Sequence, residues 1–141
     1  MAGQKVNIKA GLVVPYKTYG TPLPGKQPTE TVEMASFFNR LRREYPDTYG
    51  LLALHIRNEG KRVPRQMQKI KADGGFVKGA SDIVIPGSPT FVCEMKSRSK
   101  TARLSPEQIA YLEAAQAAGA YACVALGAAA AWEAFEGWLG R

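Results

Sequence analysis

Asp82, Glu94 and Lys96 are the residues of this chain whose types and spacing could do chemistry together. They stand in SDIVIPGSPTFVCEMK, residues 81–96, where one acid heads an apolar run and an acid and a lysine sit near the end of the next. Side chains alternate faces along a strand, so Glu94 and Lys96 point one way while Cys93 and Met95 point the other. The PGSP turn between the runs predicts a hairpin that brings Glu94 back beside Asp82. Two like charges held together cost free energy unless a cation lies between them. A divalent metal on oxygen ligands resolves that conflict. Mg2+ comes first, because two carboxylates with waters and a substrate phosphate suit its octahedral shell. Lys96 would then orient an attacking water or steady the charge developing on a phosphate. The plain alternative is a Glu94–Lys96 ion pair at a strand end, with Asp82 capping a turn.

The surrounding sequence must hold these three in place. Thr29 offers a helix cap before ETVEMASFFNRLRREYP, where Met34, Phe37, Phe38 and Leu41 recur at helical spacing and Pro46 ends the run. LLALHIR, residues 51–57, is a continuous apolar run of strand length, and VPRQMQKIKADGG, residues 63–75, reads as a short basic helix closed by Gly74 and Gly75. Ser105 and Pro106 open a helix that stops at Gly119. AYACVAL is a further apolar strand, and AAAAWEAFEGWLG a final amphipathic helix. Met1 to Pro28 shows no sustained period and reads as an N-terminal arm with a short strand at GLVVPY, which leaves 29–141 as the domain proper. The order predicts an α/β fold, a mixed central sheet flanked by helices, with an antiparallel hairpin and AYACVAL returned parallel to TFVCEMK by the helix between them.

Composition narrows the class. With 141 residues, 45% of them hydrophobic and 22% charged, the chain suits one globular domain with a real core. Cys93 and Cys123 each fall inside an apolar run, which argues against a disulfide framework or a zinc site and for a reduced, cytoplasmic setting. The Ala-rich stretch from Ala114 to Ala131 is broken by Gly119 and Gly127, so neither a signal peptide nor a membrane span is expected. Residues 1–104 hold 18 Lys and Arg against 8 Asp and Glu, a net of +10, while residues 105–141 hold one Arg against four Glu, a net of −3. That asymmetry favours a polyanionic partner, nucleic acid first, although a solvated surface would account for it equally well.

NEGKR (58–62), GGFVKGASDIVI (74–85), CEMK (93–96), LSPEQIAYLEAAQAAG (104–119) and the apolar strand after it, taken in order, resemble the VRR-NUC nucleases. These belong to the PD-(D/E)xK superfamily, with its restriction endonuclease-like core. The resemblance runs from about Thr29 to the C-terminus. It implies that Asp82 and Glu94 are metal ligands, with the Met95 main-chain carbonyl a further one, that Lys96 is the catalytic lysine, and that Gln108 stands near the site. It also implies an acid from the first helix, Glu30 or Glu33. Glu30 falls nearer the middle of the inward face set by Met34, Phe37 and Leu41 and is preferred, although two acids at a helix N-terminus have a stabilising role of their own. Ser81 stands where the family often has Pro, and Met34 where relatives often carry Gln.

The resemblance implies a Mg2+- or Mn2+-dependent endonuclease hydrolysing DNA phosphodiester bonds. A chain this small has little room to read sequence, which suggests selectivity for structure, such as junctions or flaps. The alternative is a non-cleaving nucleic-acid-binding module of a replication or repair assembly. Lys61, Arg62, Arg65, Lys69, Lys71 and Lys78 before Asp82, with Arg98, Lys100 and Arg103 after Lys96, are the candidates for phosphate contacts. Symmetric cutting would ask for a homodimer, with the apolar C-terminal helix as its surface. His55, the only histidine, reads as a packed or hydrogen-bonded strand-end residue before it reads as a general base. NEGKR lacks the upstream glycine and the Ser/Thr of a P-loop, and GGFVKG precedes a strand, so no nucleotide cofactor is expected. Trp132, Phe135 and Trp138 recur at helical spacing and read as core or dimer surface before they read as a base-stacking platform.

Overall fold

A computed structural model describes residues 4–5, 16–57, 74–75 and 77–141. The elements in chain order are β1 (Gln4–Lys5), β2 (Lys17–Tyr19), α1 (Glu30–Glu44), α2 (Tyr49–Leu52), β3 (Leu54–His55), β4 (Ile83–Ile85), β5 (Phe91–Lys96), β6 (Arg103–Leu104), α3 (Pro106–Ala117), β7 (Tyr121–Leu126) and α4 (Ala128–Leu139). Five strands form a mixed sheet in the order β2-β7-β5-β4-β3, and β1 pairs with β6 outside it. β4 and β5 are antiparallel across the PGSP turn, whereas β5 and β7 are parallel, joined through α3. This is the α/β architecture expected from the order of the elements.

The sheet buries both faces, which is why its central strands read as unbroken apolar runs. On one face Phe91, Cys93 and Met95 of β5 and Cys123 and Ala125 of β7 pack against α1 and α4. On the other, Ala122, Val124 and Leu126 of β7 meet Leu112 of α3, with Tyr16 and Leu104. α1 begins where Thr29 Oγ1 accepts the Val32 N–H, and it buries Met34, Phe37, Phe38 and Leu41 along one stripe. Phe135 of α4 lies edge-on to Phe37, Phe91, Tyr45 and Tyr49, so the aromatic residues of three helices meet at one ring. Trp132, Phe135 and Trp138 are all buried in this chain's own core. The dimer surface expected on this helix is therefore not available from them.

Three elements differ from the sequence reading. The run at residues 51–57 is not one strand: α2 occupies Tyr49–Leu52, and only Leu54–His55 pair with β4. A short apolar run has no period to separate strand from helix, and Tyr49 settles the matter by packing its ring on Tyr45, Phe135 and Trp138. Leu51, Leu52 and Leu54 are left exposed at the sheet's edge. The segment read as an arm supplies an edge strand, since Lys17, Thr18 and Tyr19 run parallel to Cys123, Val124 and Ala125. The strand expected at GLVVPY is not where this pairing occurs, and residues 11–15 of it lie outside the described residues. Residues 63–73 of the expected basic helix lie outside them too. Among the described residues no helix is long and apolar enough to cross a membrane.

The aromatic junction should dominate stability. Phe135→Ala is expected to cost about 3–5 kcal/mol in urea unfolding, because a fully buried ring leaves a cavity its neighbours cannot close.

Candidate active site

The β4–β5 ladder pairs Ile83 with Cys93, Val84 with Val92 and Ile85 with Phe91. Asp82 immediately precedes β4, and the antiparallel register, continued by one residue, leads from Asp82 to Glu94. Asp82 is fixed twice: its Oδ2 accepts the Met95 N–H at 2.9 Å, and its main-chain oxygen accepts the Ile56 N–H at 2.7 Å. Glu94 and Lys96 follow the pleat onto the face of Val124 and Leu126, their partners in β7. There Glu94 is 1% exposed and Lys96 9%. Ionised groups this deep must be compensated by partners. Among the described residues the ion pairs are Arg40–Glu44 and Lys78–Glu107, so Lys96 is not neutralised by Glu94.

Gln108 is the residue that reaches Glu94 from outside the sheet. Ser105 and Gln108 form a reciprocal capping box at the start of α3: Ser105 Oγ accepts the Gln108 N–H at 3.1 Å, and Gln108 Oε1 accepts the Ser105 N–H at 2.8 Å. Because Oε1 is committed to a backbone donor, the amide orientation is set, and Nε2 donates to Glu94 Oε2 at 3.3 Å. A helix cap thereby orients a buried carboxylate. The loop before Asp82 is pressed onto the same helix end. Gly79 has φ +84°, and a Cβ there would collide with the main chain of Glu107 and approach Gln108 N to 2.8 Å. Beside it Lys78 Nζ meets Glu107 Oε1 at 3.0 Å, and this hydrogen bond holds the exposed Glu107 carboxyl below its usual pKa.

The two helix acids go to different places. Glu30 lines a half-open cavity of about 570 Å³ between α1 and β3 that also reaches Asp82. Glu33 turns toward the end of β7, where a Cβ on Gly127 would lie 2.5 Å from Glu33 Oε2 and 2.8 Å from Arg98 Cγ. Glu33 Oε2 and Arg98 Nε are both buried there without a hydrogen-bond partner among the described residues. Met34 is buried in the core. Ser81 is wholly buried, and its Oγ finds no hydrogen-bond partner among the described residues.

His55 lies against Phe38, ring centroids 5.7 Å apart and planes 31° apart, and lines the same cavity. Its pKa lies below the ordinary histidine value, chiefly through burial and then through Arg57, with Asp82 pulling the other way. Lys100 and Arg103 are exposed in the segment after Lys96, and that segment is tied down by the Leu23 N–H on the Arg98 carbonyl at 2.8 Å. Lys61, Arg62, Arg65, Lys69 and Lys71 lie outside the described residues, as do Asn58 and Glu59.

Among the described residues no group of three or more His, Cys, Asp or Glu side chains is gathered to hold a metal. Asp82, hydrogen-bonded to the β5 main chain at Met95, and Glu94 are the two carboxylates that the hairpin register leads toward each other. Two hard oxygen donors on one rigid ladder fit a cation that keeps most of its shell as water. They do not form a closed protein cage.

The mixed sheet flanked by helices is a restriction endonuclease-like α/β fold. In a search of solved structures the chain is similar to a VRR_NUC domain protein, with a TM-score of 0.65 over 84% of this chain and 92% of that one, at 18% identity. No protein-family model matches the chain, and no curated protein does. The shared property is the fold.

The sequence did not single out Ser105 as the partner that orients Gln108, nor Asn39, Arg42 and Arg57, which line the cavity with Glu30. The S-x-x-Q spacing was the available signal for the first. For Arg42, it was the i+4 step beyond Phe38 on the stripe that starts at Glu30.

Ser105→Ala should cost about 1 kcal/mol of stability through the lost cap. Gln108→Ala should cost more, about 1–3 kcal/mol, because it also withdraws a donor from the buried Glu94. Paired thermal and urea melts separate the two, and equal losses would show that the contact with Glu94 contributes nothing.

Proposed function

We propose that this chain is a divalent-metal-dependent nuclease that hydrolyses phosphodiester bonds in DNA, using Mg2+ or Mn2+. The observation that carries the reading is the pair Glu94 and Lys96, buried on one face of β5 with Asp82 opposite. An acid and a lysine at the end of a buried strand are costly for stability and are retained where they act on a charged substrate. The basic first 104 residues supply the attraction for a polyanion, and the fold shared with a VRR_NUC domain protein supports the class.

Asp82 and Glu94 would hold the cation, with Glu30 reaching it from α1 through the shared cavity. The bound ion would supply Lewis-acid stabilisation of the charge that develops on the phosphate oxygens. Gln108 keeps the Glu94 carboxylate in one orientation through the capping box, so the ligand needs no rearrangement when substrate arrives. The Met95 N–H does the same for Asp82. Lys96, one strand step beyond Glu94 on the same face, directs the attacking water and offsets charge at the phosphorus. The attacking water gives up a proton to solvent as its oxygen bonds to phosphorus and one phosphorus–ester oxygen bond breaks, and the departing oxygen takes up a proton from solvent.

Two measurements test this. Purified protein with Mn2+ should cut linear or branched DNA, and Lys96→Ala should lower the rate by about 10²–10³-fold, the scale of one lost transition-state donor. Calorimetry should show Mn2+ binding by wild type and its loss in Asp82→Ala. Equal cutting by Lys96→Ala and wild type would reject the site, and metal binding with no cutting of any DNA would favour a non-cleaving DNA-binding module.

A further inference from the structure

The cavity between α1 and β3 holds more than the acids at its mouth. Along α1, Glu30, Met34, Phe38 and Arg42 follow one another at i+4 steps, so the groove runs about 18 Å from the carboxylate end to a guanidinium. Its far wall is His55 and Arg57 of the edge strand and its continuation. Phe38 is almost fully buried, and two planar groups lie over its ring: the His55 imidazole at 5.7 Å and the Arg42 guanidinium at 5.2 Å. Both residues are exposed. Imidazole and guanidinium planes are the surfaces on which unpaired bases stack, whereas a base in a duplex has its faces already covered. At about 570 Å³ the cavity falls within the size range of small-ligand sites. Asn39, also on its wall, carries both a donor and an acceptor for a base edge.

We infer that this groove is a nucleotide subsite that receives an unpaired DNA base next to the phosphate held at Asp82, with His55 and Arg42 as the stacking surface. The inference rests on the proposed nuclease reading for its substrate and adds the strand form. The favoured DNA has single-stranded character beside the bond to be cut, because only there can a base turn into the groove. The contact is to the base face and so depends weakly on base identity.

Binding is read by fluorescence anisotropy with the full chain, in Ca2+ so that affinity is read apart from cutting. The probes are a blunt duplex, the same duplex with a short single-stranded branch, and that branched duplex with abasic nucleotides next to the branch point. Wild type should prefer the intact branch over the abasic branch by about tenfold, the scale of one stacked base. His55→Ala should remove most of this difference. Arg42→Lys, which keeps the charge and loses the plane, should also narrow it while keeping the salt dependence. Both positions are exposed, and unchanged melting temperatures would show that the variants fold. Equal wild-type affinity for intact and abasic branches would overturn the subsite, and so would a full preference retained by His55→Ala. Wild-type cutting of the same probes in Mn2+ separates the two ideas. Base-dependent binding without any cutting leaves the subsite standing while the nuclease reading falls; cutting without base dependence does the reverse.

Discussion

The constraint on which the site depends is the complete burial of β5. All six of its residues, Phe91 to Lys96, are buried between β4 and β7 and between the two helical layers, and two of the six, Glu94 and Lys96, are of charged types. Apolar neighbours alone cannot hold a carboxylate and an ammonium there. For Glu94 the fold meets the demand locally, with an amide from α3. A central strand flanked on both sides has little freedom to slip, so the alternation that sends Cys93 and Met95 to one core sends Glu94 and Lys96 to the other. Position within the sheet, more than any single contact, fixes which way the charges face.

A second consequence is that secondary structure and site share atoms. Gln108 is a capping residue and a carboxylate partner at once, and Gly79 lets the loop before Asp82 rest on the same helix end. The first turn of α3 is thus coupled to Asp82 and Glu94, which come from two different strands. Such coupling places the two acids relative to each other without a long-range network, because each link is one hydrogen bond or one steric contact in length.

Much of the fold was legible because its signals are local. Thr29, Ser105 and Pro106 mark helix starts by their own chemistry, and the PGSP turn between two apolar runs marks the hairpin that sets Asp82 against Glu94. The parts that were not legible depend on contacts between segments far apart in sequence. LLALHIR has strand length and strand composition, yet Tyr49 is drawn into an aromatic junction built by α1, β5 and α4, and the helix turn follows. Lys17–Tyr19 carries no strand pattern of its own and becomes one because β7 presents an unpaired edge. The separation of Glu30 from Glu33 required knowing where Gly127 comes to lie.

Phe38 belongs at once to the interior and to the wall of the groove. Replacing it to alter the groove would therefore loosen the packing of α1 in the same stroke, which makes that position a poor one for evolutionary drift. His55 and Arg42, resting on it from outside, carry no such double obligation.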